Sequence, residues 1–312
     1  MTTGGAPHGA PGWTGGELEQ RSDWRVDFRD FPDLPADLAR LDAWRASVPE
    51  PVQALQADTL ELPAVQAIGQ RISPLVRESP GLALLTHAPP LAPELLALLY
   101  LAIGLELGST VDVYGRLYEV RDRGGSYKDS AIPVSMTRES TGIHTDSSNR
   151  AVWPRIVALA CVNPSTVGGA SRMVSVHRVH HLLGERAPEL RDRLYGDYIR
   201  DVVTPGSDRS ESSVRANRFP IFARGDRVTL RYMRYWIERG HDRVSVPLTP
   251  DDLAAFDALD ALLEDESLTL RFKLAKGDMV FLDNTTVAHD RDAYVDDPGA
   301  PRHLLRLWLD GA

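Results

Sequence analysis

Nine histidines are present, and one of them stands two residues before an acid: His144-Thr145-Asp146, within STGIHTDSSN. With 44 acids among 312 residues, chance alone supplies about 1.3 such pairs, so the triplet carries little by itself. Its physical content is that residues i and i+2 of an extended chain point to one face, where both side chains reach a single metal ion. A facial site of this kind takes a third ligand and leaves three positions for small molecules. His289, which follows the strand-like run DMVFLDN in NTTVAHDR, is the best candidate, and the alternative for any one histidine is a surface or hydrogen-bonded core residue. His177, His180 and His181 fit that alternative, because they open a predicted helix and lack a carboxylate at ligand spacing.

Thirteen residues after His289 comes Arg302, in APRHLLRLWLDG. On a strand Arg302 and Arg306 share a face, while Leu305, Leu307 and Leu309 share the other. Two arginines on one face of an apolar terminal strand are costly unless each meets an anion, and a planar guanidinium suits a carboxylate. The competing reading is a pair of solvent-facing arginines on an edge strand.

The elements that must position these groups begin with helices. Leu62, Val65, Ile68 and Ile72 are spaced for a helix over Leu60–Val76, and Ala92–Leu101 is apolar nearly all round. Between them Gly81–Pro89 reads as a short buried strand. From about residue 110 the pattern turns to strands: Val111–Val120, Ile156–Asn163, Ser171–Val176, Val228–Ile237, Leu268–Leu274, Asp278–Asp283 and His303–Leu309. The run TLRFKLAKGDMVFLDN predicts a hairpin turning at Lys276-Gly277-Asp278. Helices interrupt at Val179–Tyr195 and at Pro250–Leu263, the latter opened by Thr249-Pro250. The expected class is α+β, a β-sandwich or barrel with helices outside it. Residues 1–16 are expected to be a disordered tail and 17–312 a single domain.

A net charge of −9 disfavours sequence-independent binding to nucleic acid or to an anionic membrane. One cysteine, Cys161, excludes an intramolecular disulfide, and no apolar run approaches the ~20 residues of a membrane span. The N-terminal segment lacks a basic region followed by an apolar one, so a cytoplasmic location is expected.

In order and spacing, from roughly Pro80 to the end, the sequence resembles the taurine dioxygenase-like (TauD/TfdA, clavaminate-synthase-like) family of Fe(II)/2-oxoglutarate-dependent oxygenases. The resemblance implies a double-stranded β-helix (jelly roll) with flanking helices, and an insertion at about 179–240 between the metal-ligand strands. It implies Fe(II) held by His144, Asp146 and His289, which are then the catalytic residues, with 2-oxoglutarate and O2 as co-substrates. Arg302 would bind the distal carboxylate of 2-oxoglutarate, with Ser171 of VGGASRMVSV as hydroxyl partner, and Arg306 would face an anionic substrate group. Asp290 stands where the family often has glycine. Asp146 keeps the carboxylate that related halogenases lack, which favours hydroxylation.

Within the insertion, SDRSESSVRANRFP reads as a polar mobile lid. Alternation along VTLRYMRYWIERG makes Arg234 a second candidate for a substrate carboxylate. The expected substrate is a small carboxylate-bearing molecule, an amino acid or a derivative of one in specialised metabolism. A sulfonate or other small acid, a desaturation, or a substrate tethered to a carrier protein are the alternatives within the class. Outside it stand a cupin-like isomerase or hydrolase, for which Arg302→Ala would be silent, and a non-catalytic ligand-binding protein.

Overall fold

The computed structural model describes residues 12–124, 140, 142–151, 153–201 and 207–311. Two sheets carry the α+β architecture. The larger has six strands in the order Arg25–Asp27, Leu82–Thr86, Met279–Asp283, Ile156–Asn163, His303–Leu309, Tyr118–Val120. The smaller has three, with Ser171–Ser175 between Leu270–Phe272 and Val287–Arg291, both antiparallel to it. The strands form no closed barrel among the described residues.

Period-two alternation sorts the side chains into layers. Val157 and Cys161 of one strand, and Leu304 and Trp308 of another, point inward to meet Met173, Leu270 and Val287 of the smaller sheet. The opposite parity of the same strands, Ile156, Ala158 and Ala160 with Leu305, Leu307 and Leu309, packs under helices Leu34–Arg45, Pro63–Arg77 and Pro93–Leu105. On the far side Val174 and Ala288 bury against helices Val176–Arg186 and Pro250–Leu263. The inward parity of His303–Leu309 also carries Arg306, as expected from the even offset.

Several expectations need correction. The predicted hairpin does not form. Leu270–Phe272 joins the smaller sheet and Met279–Asp283 the larger, the chain crossing between them where the Gly277 amide donates to Cys161 O at 2.8 Å. Alternation reports one buried face, and a sandwich satisfies it as well as a hairpin does: Leu270 and Leu274 meet Val280 and Leu282 across a shared interior. Second, the Val228–Ile237 strand is only Thr229–Leu230, followed by helix Arg234–Arg243. Ile237, Gly240 and His241 bury at helical spacing there, overriding the strand preference of the aromatic residues. Third, Val111–Val120 shortens to Tyr118–Val120, and Pro188 divides the predicted Val179–Tyr195 helix in two.

The fourth concerns the tail. Residues 1–11 lie outside the described residues, but 12–15 are packed. The buried Trp13 indole donates to Pro80 O at 2.8 Å, and Thr14 caps helix Gly15–Glu19 through a reciprocal bond pair with Glu17. Gly15 is required here, since a Cβ would lie 1.9 Å from Thr269 O. Two tryptophans, Trp13 and Trp24, outweigh the glycine-rich composition by entering the core between the sheets.

Helix Pro63–Arg77 has no side-chain cap of its own at Leu62. Asp37, fully buried, supplies one from another helix: its Oδ2 accepts the Ala64 and Val65 amides at 2.8 and 3.0 Å. Asp37→Ala leaves two buried donors unpaired and should lower unfolding free energy by about 2–4 kcal/mol in urea titrations. The exposed Asp33→Ala serves as the control, with an expected change within about 0.5 kcal/mol.

Candidate metal centre

His144 lies in no regular strand. It is fixed instead by an isolated antiparallel bridge to His289, in which His144 N donates to His289 O at 3.0 Å and His289 N to His144 O at 2.8 Å. This exchange sets the two imidazoles side by side, ring centroids 5.0 Å apart. Thr145 points away, where its hydroxyl accepts the Tyr232 amide at 3.0 Å, so Asp146 returns to the side of the histidines. Nε2 of His144 and Nε2 of His289 stand 3.6 and 3.8 Å from Asp146 Oδ1. Each of the three residues offers a ligand atom within 4.8 Å of the others, and no other such group of three occurs among the described residues.

The surrounding hydrogen bonds assign a role to each donor atom. Nδ1 of His144 lies 2.9 Å from Gly142 O, which makes Nδ1 the protonated nitrogen and leaves the Nε2 lone pair for a metal. Asp146 Oδ2 accepts from the Trp308 indole at 2.8 Å and from Arg306 at 3.4 Å, which leaves Oδ1 facing the imidazoles. Nδ1 of His289 is buried with no hydrogen-bond partner. Two imidazoles and one carboxylate on one side, with an otherwise poorly satisfied buried ring, are the donor set of a ferrous facial triad.

The charges agree. Burial raises the Asp146 pKa, but the Arg306 cation and the two histidines outweigh it and hold the carboxyl well below its usual range. Burial lowers that of His144, while Asp146, Asp290 and the Gly142 carbonyl raise it more, for a net upward shift.

Several contributors were not visible in the sequence. Asn284, fully buried, clamps the backbone of the ligand loop: its Oδ1 accepts the Asp146 amide at 2.8 Å and its Nδ2 donates to Asp146 O and Pro154 O. Glu264 takes the Ile143 amide at 3.0 Å and pairs with Arg172 at 2.7 Å. Asp290 lies within strand Val287–Arg291, where its carboxylate accepts from Ser140 at 2.5 Å. The only available signal was an apolar run ending in an unexplained Asp-Asn pair.

One cavity of about 180 Å3 contains the three ligand residues together with Ser171, Arg302 and Arg306. Arg302 and Arg291 both stack on the Tyr294 ring, at 5.0 and 4.5 Å. Burial, then the neighbouring Arg291 cation, pushes the Arg302 guanidinium down to about 10. A cation in such a setting is stabilised by an arriving anion. Arg306 is sandwiched by Tyr118 and Trp308 while it contacts Asp146.

Arg234 is a correction. It starts a helix, does not line the cavity, and is occupied by Glu238, Asp257 and Asp260 at 2.7, 2.6 and 2.8 Å. The strand alternation that assigned it to the pocket is absent. The polar run 207–220 is likewise structured, with Ser210 capping helix Glu211–Ala216 and Arg209 paired to Asp201 at 2.5 Å. His177 and His180 sit on helix Val176–Arg186, away from the triad, with His180 bonded to Tyr195 at 2.7 Å.

Fold and site together define a mononuclear non-haem iron protein of mixed α+β architecture. The chain matches the taurine catabolism dioxygenase TauD, TfdA family over residues 48–308 and belongs to that family. FR-33289 synthase of Streptomyces rubellomurinus is 27 % identical to it over 218 residues, 67 % of this chain and 62 % of that protein. A uridine-5'-phosphate dioxygenase of a Streptomyces species is 31 % identical over 186 residues, 56 % of this chain and 63 % of that protein. The matched part is thus less than two thirds of either relative's length.

Among solved structures, asparagine oxygenase in complex with Fe(II), 3-hydroxyasparagine and succinate superposes with a TM-score of 0.70 at 18 % identity, covering 93 % of this chain and 94 % of that one. The oxygenase OrfP in complex with Fe and alpha-ketoglutaric acid gives 0.63 at 16 % identity, covering 92 % and 94 %. These two likenesses show a shared fold. The His-Asp-His donor set of this chain fits the iron that those solved structures hold. No helix among the described residues is long and apolar enough to cross a membrane.

Asn284→Ala should weaken Fe(II) binding by about 10–100-fold, because the ligand loop loses the clamp that orients Asp146. Equilibrium dialysis against Fe(II) under argon reads the change, with circular dichroism confirming that the fold persists.

Proposed function

We infer that this protein is an Fe(II)/2-oxoglutarate-dependent oxygenase that hydroxylates an unactivated C–H of a small anionic substrate, an amino acid or amino-acid-derived metabolite. The observation that carries the reading is the meeting, in one cavity, of the triad with Ser171 and Arg302. An oxygenase of this class uses both, a facial metal site and, beside it, a guanidinium–hydroxyl pair for the co-substrate's distal carboxylate. The two sheets are read as the halves of a double-stranded β-helix, and 179–240 as the insertion that walls the substrate end. Hydroxylation of asparagine in the solved relative's complex supports the amino-acid reading.

His144, Asp146 and His289 would hold the iron. Bound together, Fe(II), 2-oxoglutarate and O2 supply the oxidising power to break a C–H bond, with 2-oxoglutarate leaving as succinate and CO2. The protein's own part is positional. Arg302 and Ser171 grip the distal carboxylate, which fixes the co-substrate's direction in the cavity. Trp308 and Arg306 hold Asp146 in its ionised form and aim Oδ1 at the metal position. Leu304, Val157 and Leu159 line the cavity with apolar surface that excludes water. Arg306, expected to face a substrate anion, is engaged instead by Asp146 and by the Tyr118 and Trp308 rings.

Anaerobic titration with Fe(II) and 2-oxoglutarate should produce the charge-transfer absorption of a chelated keto acid, and Asp146→Ala should abolish it. Arg302→Ala should keep the band but require on the order of 10–100 times more 2-oxoglutarate, from loss of a charge-assisted bond pair. A wild-type protein that shows no band, or an Arg302→Ala variant with unchanged 2-oxoglutarate affinity, contradicts the reading. A screen of amino acids for substrate-triggered succinate release then identifies the substrate.

A further inference from the structure

We propose that Arg150 anchors an oxyanion group of the substrate, a carboxylate or a phosphoryl group, and thereby sets which molecules the cavity accepts. This deepens the oxygenase reading and rests on it for the word substrate. Arg150 ends the turn that leaves the ligand Asp146, and it lines the same cavity as the triad.

That turn is held unusually firmly. Ser147 adopts a left-handed φ of 56°, and the Arg150 amide returns to Ser147 O at 3.1 Å. Two side chains pin the segment from outside, Arg231 Nε donating to Ser148 O at 2.9 Å and Asn217 Nδ2 to Asn149 O at 2.8 Å, and the turn's own Asn149 Nδ2 donates outward to Asp201 O at 3.0 Å. The strained serine persists because these bonds over-determine its conformation. Such a turn presents the Arg150 side chain from a fixed base.

The other guanidiniums of the cavity are engaged. Arg306 contacts Asp146 and two aromatic rings, and Arg291 and Arg302 share Tyr294. Arg150 differs: its Nη1 is buried with no hydrogen-bond partner. A buried donor on a permanent cation is costly when unpaired, and an oxyanion satisfies it with a charge-assisted bond. Arg302 and Arg150 reach the cavity from different elements, so two anions, the co-substrate's tail and the substrate's acid group, can be held at once. Met233 and Trp236 line the cavity too and offer apolar cover for the substrate's carbon skeleton.

The test uses inorganic phosphate and acetate as probes of the full-length protein loaded anaerobically with Fe(II) and saturating 2-oxoglutarate, read by fluorescence of Trp236 and Trp308. Saturable quenching by at least one probe is expected. Arg150→Gln should weaken it tenfold or more, with partial recovery in Arg150→Lys, and both variants should keep the wild-type charge-transfer titration. Stronger binding of phosphate assigns the site to phosphoryl substrates, and stronger binding of acetate to carboxylates. Absence of quenching in the wild type, wild-type affinity in Arg150→Gln, or a loss seen with Arg302→Ala and not with Arg150→Gln overturns the proposal. Failure of the oxygenase reading would show separately, as a missing charge-transfer band in the wild-type protein.

Discussion

Two backbone hydrogen bonds, exchanged between His144 and His289, are what the rest of the site depends on. They join chain segments that are far apart in sequence and set both imidazoles on one side of the junction. An exchanged pair of this sort fixes distance and direction together, which a single side-chain contact does not. Everything around it serves to keep that junction in register. Strand Val287–Arg291 is held by five consecutive partners on Ser171–Ser175, and the segment before His144 by Glu264.

Asp146 is the electrostatic counterpart of that junction. A buried carboxylate is unstable alone and needs relief from its neighbours. The Trp308 indole and the Arg306 guanidinium supply it, both from the inward face of strand His303–Leu309. Because they occupy Oδ2, the carboxylate presents only Oδ1 to the histidines, and the asymmetry is built in before any metal arrives. The same strand stacks Arg306 between two aromatic rings, so its long side chain has little freedom to lose.

Much of this was legible in local patterns. Strands Ile156–Asn163 and His303–Leu309 and helix Pro250–Leu263 match their expected bounds, because in each the apolar period and the cap or turn residues agree. His144, Asp146 and His289 were legible as residue types at a spacing, and the structure supplies their convergence. The failures share one cause, a local pattern decided by distant contacts. Alternation in Leu268–Asp283 says that faces are buried without saying against which sheet. The aromatic-rich segment around Arg234 folds as a helix because Ile237 and His241 find a core and Arg234 finds three acids. Asn284 and Asp37 act on backbone amides far along the chain, and no periodicity reports that.

The most direct measurement is anomalous scattering at the iron edge from crystals grown anaerobically with Fe(II). The account predicts a single strong peak within about 2.0–2.2 Å of one nitrogen of His144, Asp146 Oδ1 and one nitrogen of His289, by analogy with first-row ions on imidazole and carboxylate. A peak bound elsewhere, or one that engages only two of the three side chains, would contradict it.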